Sequence, residues 1–329
     1  MSDRPDMAAP VVLDRARPDI RQFAAQAKLP GLVFLALLVL GLLDPRIVSS
    51  GNLWNIAIQT SYLALFAMAQ TMVLLTRGFD LSLGFTVSLV SVISAMVMTG
   101  TGDMPILWGI AAGLGVGLLI GGLNGVLIAG IGINPLVTTL GMANIVMALA
   151  STVSGGFPVP GVPEAFTDAL AEGRLIGIPV PIVFAALCFA LLFLVLRFTV
   201  FGRGLYLIGA NPRAATAAGV RTGRVVAIDY VVCSLLAAIG AMLLTARTGS
   251  GEPNLGGNLT LESIAAAVVG GVRLTGGEGG VTAALLGALF ITVISNAMNL
   301  MQVDGYLQQV LLGLIILASL ILGRDYKKR

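Results

Sequence analysis

Apolar residues recur along nearly the whole chain in long blocks separated by short polar or Gly/Pro-containing stretches. Ten blocks stand out, at 30–43, 53–75, 80–98, 105–130, 135–154, 180–200, 225–247, 260–272, 280–301 and 306–323. At about 1.5 Å per helical residue most of them reach across a hydrocarbon core of roughly 30 Å. The pattern predicts an all-α polytopic membrane protein with about ten transmembrane helices. The 260–272 block is short and reads as a broken or half-buried helix. The 30–43 block has the length of a signal-peptide core. It is followed by Asp44-Pro45-Arg46 in place of a small-x-small cleavage site, so it reads as a retained first span, extended backwards towards Phe23.

Composition supports the bilayer as solvent: 57% of residues are hydrophobic and 11% charged, against about 25% charged in an ordinary soluble domain. The 42 glycines suit helices that pack closely in lipid. No histidine is present, which removes imidazole metal ligation, His-based catalysis and His proton relays. Cys188 and Cys233 lie in or beside apolar segments and read as buried free thiols. The net charge of +3 is spread over loops and ends, so it reports topology and gives no nucleic-acid footprint.

Ten spans put both termini on one side, and Arg324, Lys327, Lys328 and Arg329 predict that side to be cytoplasmic. The 201–224 connection then also lies inside, with Arg203, Arg213, Arg221 and Arg224 and no acid. The 155–179 connection lies outside, with Glu164, Asp168 and Glu172 against Arg174. The expected organisation is a cytoplasmic tail (1–29), a transmembrane domain (30–323) with a cytoplasmic loop at 201–224, and a basic cytoplasmic end (324–329). A faint repeat at an offset of 172 residues lays Asp80-Leu-Ser-Leu-Gly84 over Glu252-Pro-Asn-Leu-Gly256, Asn124 over Asn296 and Gly141 over Gly313. Five spans separate each pair, so the two copies would be inverted in the membrane, as in many transporters; chance matching in an apolar sequence is the competing explanation.

Polar residues inside apolar blocks carry the candidate chemistry. In Gly78-Phe79-Asp80-Leu81-Ser82-Leu83-Gly84, Asp80 or Ser82 reads as a helix cap and, functionally, as a gate element. Asn124 lies deep in its span, and Asn296 and Asn299 share one helix face, with Gln302 at the same spacing. These amides either glue helices together or line a polar path for hydroxyl-rich solutes. Asn134-Pro135 reads as an N-cap followed by the first helical residue.

The stretch Phe201-Gly-Arg-Gly-Leu-Tyr-Leu-Ile-Gly-Ala-Asn-Pro-Arg-Ala-Ala-Thr-Ala-Ala-Gly-Val220 contains a short helix. Asn211 would cap it, Pro212 start it and Gly219 stop it. It reads either as a surface turn or as a docking element: the small residues Ala214, Ala215, Ala217 and Ala218 let a partner's surface approach closely, and the flanking arginines can pair with acids on it. Gly270-Gly271-Val-Arg-Leu-Thr-Gly-Gly-Glu-Gly-Gly280 lacks the order and the lysine of a phosphate loop and reads as a flexible cytoplasmic turn.

Together GFDLSLG (78–84), INPLVTTLG (133–141), the 201–220 stretch, GSGEPNLG (249–256), ESIAAAVVGGVRLTGGEGG (262–280) and ALLGALFITVISNAMNL (284–300) resemble the membrane permeases of ribose-type bacterial ABC importers, within the branched-chain amino-acid/ribose permease superfamily. The resemblance covers most of residues 50–325. It implies a multi-pass inner-membrane subunit that is no enzyme itself and pairs with a second permease copy. It also implies a periplasmic solute-binding protein and an ABC ATPase with two nucleotide-binding halves, which binds ATP-Mg; no cofactor is expected in this chain. By this likeness 201–224 is the coupling loop and Asn211 to Gly219 the coupling helix. From the residues themselves, Arg203, Asn211, Pro212, Arg213, Ala214, Ala218 and Gly219 are expected to transmit the ATPase stroke, while Asp80, Asn124, Asn296 and Asn299 are expected to shape gate and path for a small polar solute, a monosaccharide such as ribose. Near Glu278 the family's turn carries a basic residue that this sequence does not match. Alternatives are an ion-gradient-driven secondary transporter, against which the scarcity of ionisable residues in mid-span counts, and an ABC permease for branched-chain amino acids or another solute.

Overall fold

The computed structural model describes residues 20–100 and 102–322. The basic C-terminal residues 324–329 and most of the 1–29 tail lie outside them. The chain is almost entirely helical: α1 (Ile20–Leu43), α2 (Ser50–Leu75), α3 (Leu83–Thr99), α4 (Pro105–Gly125, continued by a π-turn to Gly130), α5 (Pro135–Val153), the short α6 (Glu164–Thr167), α7 (Val180–Phe198), α8 (Val200–Ala210), α9 (Pro212–Ala217), α10 (Thr222–Thr248), α11 (Leu259–Gly270), α12 (Val281–Leu300) and α13 (Gly305–Leu322). A two-residue-per-strand hairpin pairs Arg174–Leu175 with Ile178–Pro179. Each of the ten predicted apolar blocks coincides with a helix. Among the described residues six helices are long and apolar enough to cross a membrane: α2, α4 with its π-turn, α5, α7, α10 and α12. α11 has 12 residues, about 18 Å of rise, too little to cross alone.

Local chemistry sets several boundaries. Ser49 caps α2 by accepting from Asn52 N. Asn134 Oδ1 accepts from Leu136 N ahead of Pro135, as the Asn-Pro pair predicts. α1 runs through Pro30 back to Ile20. Asp44 opens the α1–α2 connection, and Arg46, hydrogen-bonded to it at 2.6 Å, holds its carboxyl below the usual carboxylate range.

α2 is the central column, with 89% of its apolar window buried. It packs against α10, α11, α12 and α7. α10 also crosses α4 and α3. Apolar burial gives no drive between helices in lipid, so close van der Waals packing and interhelical hydrogen bonds must hold them. α4 presents Gly109, Gly113, Gly117, Gly121 and Gly125, one per turn and all buried. A side chain at Gly121 would meet Tyr230 O and Val231 Cα, and one at Gly125 would meet Ala227 O. The missing side chains let α4 lie directly on α10.

The 172-residue offset recurs in three dimensions. α2 starts at Ser50 and α10 at Thr222; α2 is followed by Arg77 and α10 by Gly249, both at φ 66°. Gly84 N donates to Thr260 Oγ1 at 2.9 Å, and Gly256 N donates to Ser88 Oγ at 3.0 Å. Gly84 and Gly256 are equivalent at the offset, as are Ser88 and Thr260. Each half thus makes on the other the contact it receives, the signature of a local two-fold. The two glycines cross so closely that a Cβ on either would overlap the other's carbonyl oxygen.

Candidate coupling and translocation site

The 201–224 connection is more ordered than a loop. Thr199 Oγ1 caps α8 by accepting from Gly202 N at 3.0 Å, and Leu205 and Ile208 of α8 are buried. The turn-capping signals read from sequence are local, whereas α8 owes its position to the core beneath it. Asn211 then caps α9, its Oδ1 accepting from Arg213 N at 3.0 Å and Ala214 N at 3.2 Å. Gly219, at φ 82°, ends the turn. Arg203, Asn211, Pro212, Arg213, Ala214, Ala218 and Gly219 are all exposed, while Ala215 faces inward. Six of the seven lie in or beside α9, and Arg203 lies near the start of α8.

Beneath α9 three segments meet. Gly277 N donates to Leu75 O at 3.0 Å. Gly209 lies so close to both Leu75 O and Gly277 N that a Cβ would not fit. Arg77 forks its Nε onto Gly209 O at 2.6 Å and its Nη2 onto Ala210 O at 2.7 Å. Tyr206 OH donates to Gly279 O at 3.0 Å. The Gly-rich turn read as flexible is therefore tied at two points, and Glu278 pairs with Arg273 at 2.9 Å. A cavity of about 890 Å³ opens beside this junction, with Arg197, Tyr206, Glu278 and Thr282 in its wall. None of Asp80, Asn124, Asn296 or Asn299 lines it.

The α2–α3 turn runs from this junction into the core. Asp80 is 1% exposed. Its Oδ1 accepts from Ser82 N at 2.9 Å and from Ser82 Oγ at 2.6 Å, and Cys233 Sγ donates to its Oδ2 at 3.8 Å. The Gln70 side chain lies against the Asp80 backbone, and with its amide oxygen and nitrogen exchanged it donates to Asp80 O at 3.3 Å and accepts from Asp80 N at 3.2 Å. Ser82 does not cap α3 with its side chain; its hydroxyl accepts from Asn124 Nδ2 at 3.0 Å. Asp80 supplies the turn-closing carboxylate, and a hydrogen-bonded line Asn124–Ser82–Asp80–Cys233 crosses from α4 to α10. Asn124 and Asp80 are sealed within the single chain.

Sequence reading passed over Asp229. It is fully buried in α10, its Oδ2 accepting from Thr76 Oγ1 at 3.1 Å. Its Oδ1, like Asn124 Oδ1, meets no donor among the described residues. The next residue, Tyr230, is also buried and donates to Phe79 O at 3.1 Å. An acid inside an apolar run was the available signal.

Asn296 and Asn299 lie towards the other end of the molecule. Asn296 is buried and exchanges amide hydrogen bonds with Asn52 of α2, at 2.7 and 3.1 Å. Asn299 is exposed and accepts from Gln308 Nε2 at 2.9 Å. Gln59 Nε2 donates to Asn55 Oδ1 at 3.1 Å on the same end of α2. The helices thus place one polar cluster under α9 and a second, amide-rich cluster at the opposite end of α2. Both thiols are free, Cys233 buried and Cys188 partly so.

These features define a membrane-embedded helical bundle with polar clusters held inside it and a capped helix standing free at one end. Residues 52–320 match the family described as the branched-chain amino acid transport system permease component, and the chain belongs to that family. It is the permease subunit of an ABC transporter, a transport component and a multi-pass inner-membrane protein. It is 32% identical to a ribose import permease of Haemophilus influenzae, over 88% of this chain and 91% of that one. It is 33% identical to a galactose/methyl galactoside import permease of the same species, over 91% and 95%. A D-allose transport system permease of Escherichia coli is 30% identical over 88% and 89%. No solved structure matches the chain.

Proposed function

We propose that this chain forms half of a homodimeric pore for a monosaccharide such as ribose or a related sugar, driven by a separate ATPase. The observation that carries the ATPase docking is α9. Its N-terminus is capped within the chain, its outer face is uncovered, and arginines flank it with no acid in the 201–224 connection. Arg203, Asn211, Pro212, Arg213, Ala214, Ala218 and Gly219 receive the stroke of an ABC ATPase with two nucleotide-binding halves, which holds ATP and Mg²⁺. Ten spans in an inverted repeat would leave both termini and α9 in the cytoplasm, in keeping with the positive-inside rule. A periplasmic binding protein would deliver the solute to the opposite end. There exposed Asn299 would offer its amide to hydroxyl groups, with buried Asn296 held behind it on Asn52, and Asp80 and Asn124 would set the gate from within the core. Relatives that carry ribose, allose and galactose permease names support a sugar cargo.

The test is replacement of Asn211-Pro212 by Gly-Gly. It removes a cap worth about 1 kcal/mol and the fixed φ of the first helical residue. The variant should remain in the membrane, lose its ATPase in a gentle detergent pull-down and lose uptake. Normal transport would overturn the docking assignment.

Buried Asp229 favours a second reading, a secondary transporter with a proton or sodium site. Both buried acids, however, are engaged by the α2–α3 turn near one end of the bundle, away from mid-span. Uptake that survives an uncoupler together with a sodium ionophore while ATP is maintained would exclude this reading; uptake that collapses with ATP maintained would establish it.

A further inference from the structure

Arg77 occupies a backbone position that suits glycine. Its φ of 66° is left-handed, a region that non-glycine residues enter at a cost. Its counterpart at the 172-residue offset is Gly249, at the same φ. The arginine side chain must therefore repay a conformational cost that the other half of the molecule avoids.

What it does is specific. Pro212 has no N–H, and Arg213 N and Ala214 N turn to Asn211 Oδ1, so the last carbonyls of α8 lack their usual helical partners just before α9 begins. Arg77 fills two of them, at Gly209 O and Ala210 O, and sets a positive charge at the negative end of α8. The planar guanidinium holds both carbonyls at once, which fixes direction as well as distance. The same seven-residue turn then grips the core: Thr76 holds Asp229, Phe79 O is held by Tyr230, and Asp80 joins Ser82 and Asn124. α10, which carries Asp229, also packs against α8 and α9, but among the described residues the side-chain hydrogen bonds to the two carbonyls come from Arg77.

We propose that Arg77 is the positioning residue that transmits displacement of α9 to the α2–α3 turn, and through it to α3, α4 and α10. This rests on α9 being the ATPase-docking helix. Arg77 is exposed beside α9; its proposed role is to make α8–α9 and residues 76–82 move as one body, not to bind the ATPase or the solute.

The experiment uses the full complex of permease, ATPase and binding protein in proteoliposomes, with ribose, allose and galactose offered in turn. Arg77→Gly keeps the backbone conformation and removes the fork; Arg77→Lys keeps the charge without the fork. Three quantities are read: ATPase co-purification, the stimulation of ATP hydrolysis by sugar-loaded binding protein, and the change in hydrogen exchange of residues 76–82 on trapping with ATP and vanadate. Arg77→Gly should retain the ATPase, lose the stimulation and the exchange change, and lower uptake about tenfold or more, within the range of a coupling free energy. Arg77→Lys should fall between it and wild type. Arg77→Gly that retains the ATPase with stimulation and exchange within about twofold of wild type would overturn the relay, since couplings of this kind are about 5-fold or greater. Loss of the ATPase from Arg77→Gly would also overturn it, because Arg77 would then act at docking. If the wild-type chain itself retains no ATPase, the docking reading fails and the relay falls with it.

Discussion

Replacing Gly84 by alanine puts a methyl group where α3 crosses the turn that leads into α11. The new Cβ would overlap Gly256 O and lie 2.7 Å from Thr260 Oγ1. Carbon needs about 3.5 Å from such neighbours, so the two segments must part by roughly 1 Å. Both neighbours at Gly256 are backbone and cannot rotate away. Two reciprocal hydrogen bonds, Gly84 N to Thr260 and Gly256 N to Ser88, are then stretched or lost, each worth about 1 kcal/mol net. Overpacking adds about 1–3 kcal/mol, for a total of about 3–5 kcal/mol. At about 2–4 °C per kcal/mol the melting temperature should fall by about 6 °C or more. Purified protein carrying Cys188→Ala, heated in detergent with a fluorogenic maleimide, reports this through Cys233, which is fully buried. Gly122→Ala is the control, since nothing lies within 4 Å of its Cβ. A Gly84→Ala melt within about 1 °C of wild type would refute the crossing, because even 1 kcal/mol should move it more.

The Asn52–Asn296 pair invites a double-mutant cycle. Asn296→Leu strands one amide and should cost about 1–3 kcal/mol; adding Asn52→Leu should recover part of that, and no coupling in chemical denaturation would count against the pair. Thr76→Val leaves Asp229 without a hydrogen-bond donor among the described residues and should lower stability by about 1–3 kcal/mol, read in the same maleimide melt; an unchanged melt would show that Asp229 finds another partner. Gly209→Ala drives a methyl into Leu75 O and Gly277 N and should abolish uptake while the protein stays in the membrane; wild-type uptake would show that the three-way junction can open without loss.

Much of the helical framework was legible because it is written locally. Apolar blocks of span length, Asn134-Pro135 and Asn211-Pro212 at helix starts, and Gly219 at a helix stop each state their structure within a few residues. The 172-residue repeat was visible as a few matched letters, and the helix starts of α2 and α10 follow it. The glycines of α4, spaced at one per turn, stood in the sequence too, but spacing alone names no partner; only the fold shows α10 lying on Gly117, Gly121 and Gly125 and α3 on Gly109.

The sites divide the same way. The sequence determined that α9 exists, that its face is small and basic, and that amides sit inside spans. Tertiary structure decided what those amides meet: Asn124 finds Ser82, 42 residues away, and Asn296 finds Asn52, 244 residues away. It also drew Asp229, Arg77 and the Gly-rich turn into one polar system under α9. A polar group in an apolar segment announces that it needs a partner, because leaving it unpaired is costly. Which partner it takes depends on how helices far apart in sequence cross, and that is set by the packing of the whole bundle.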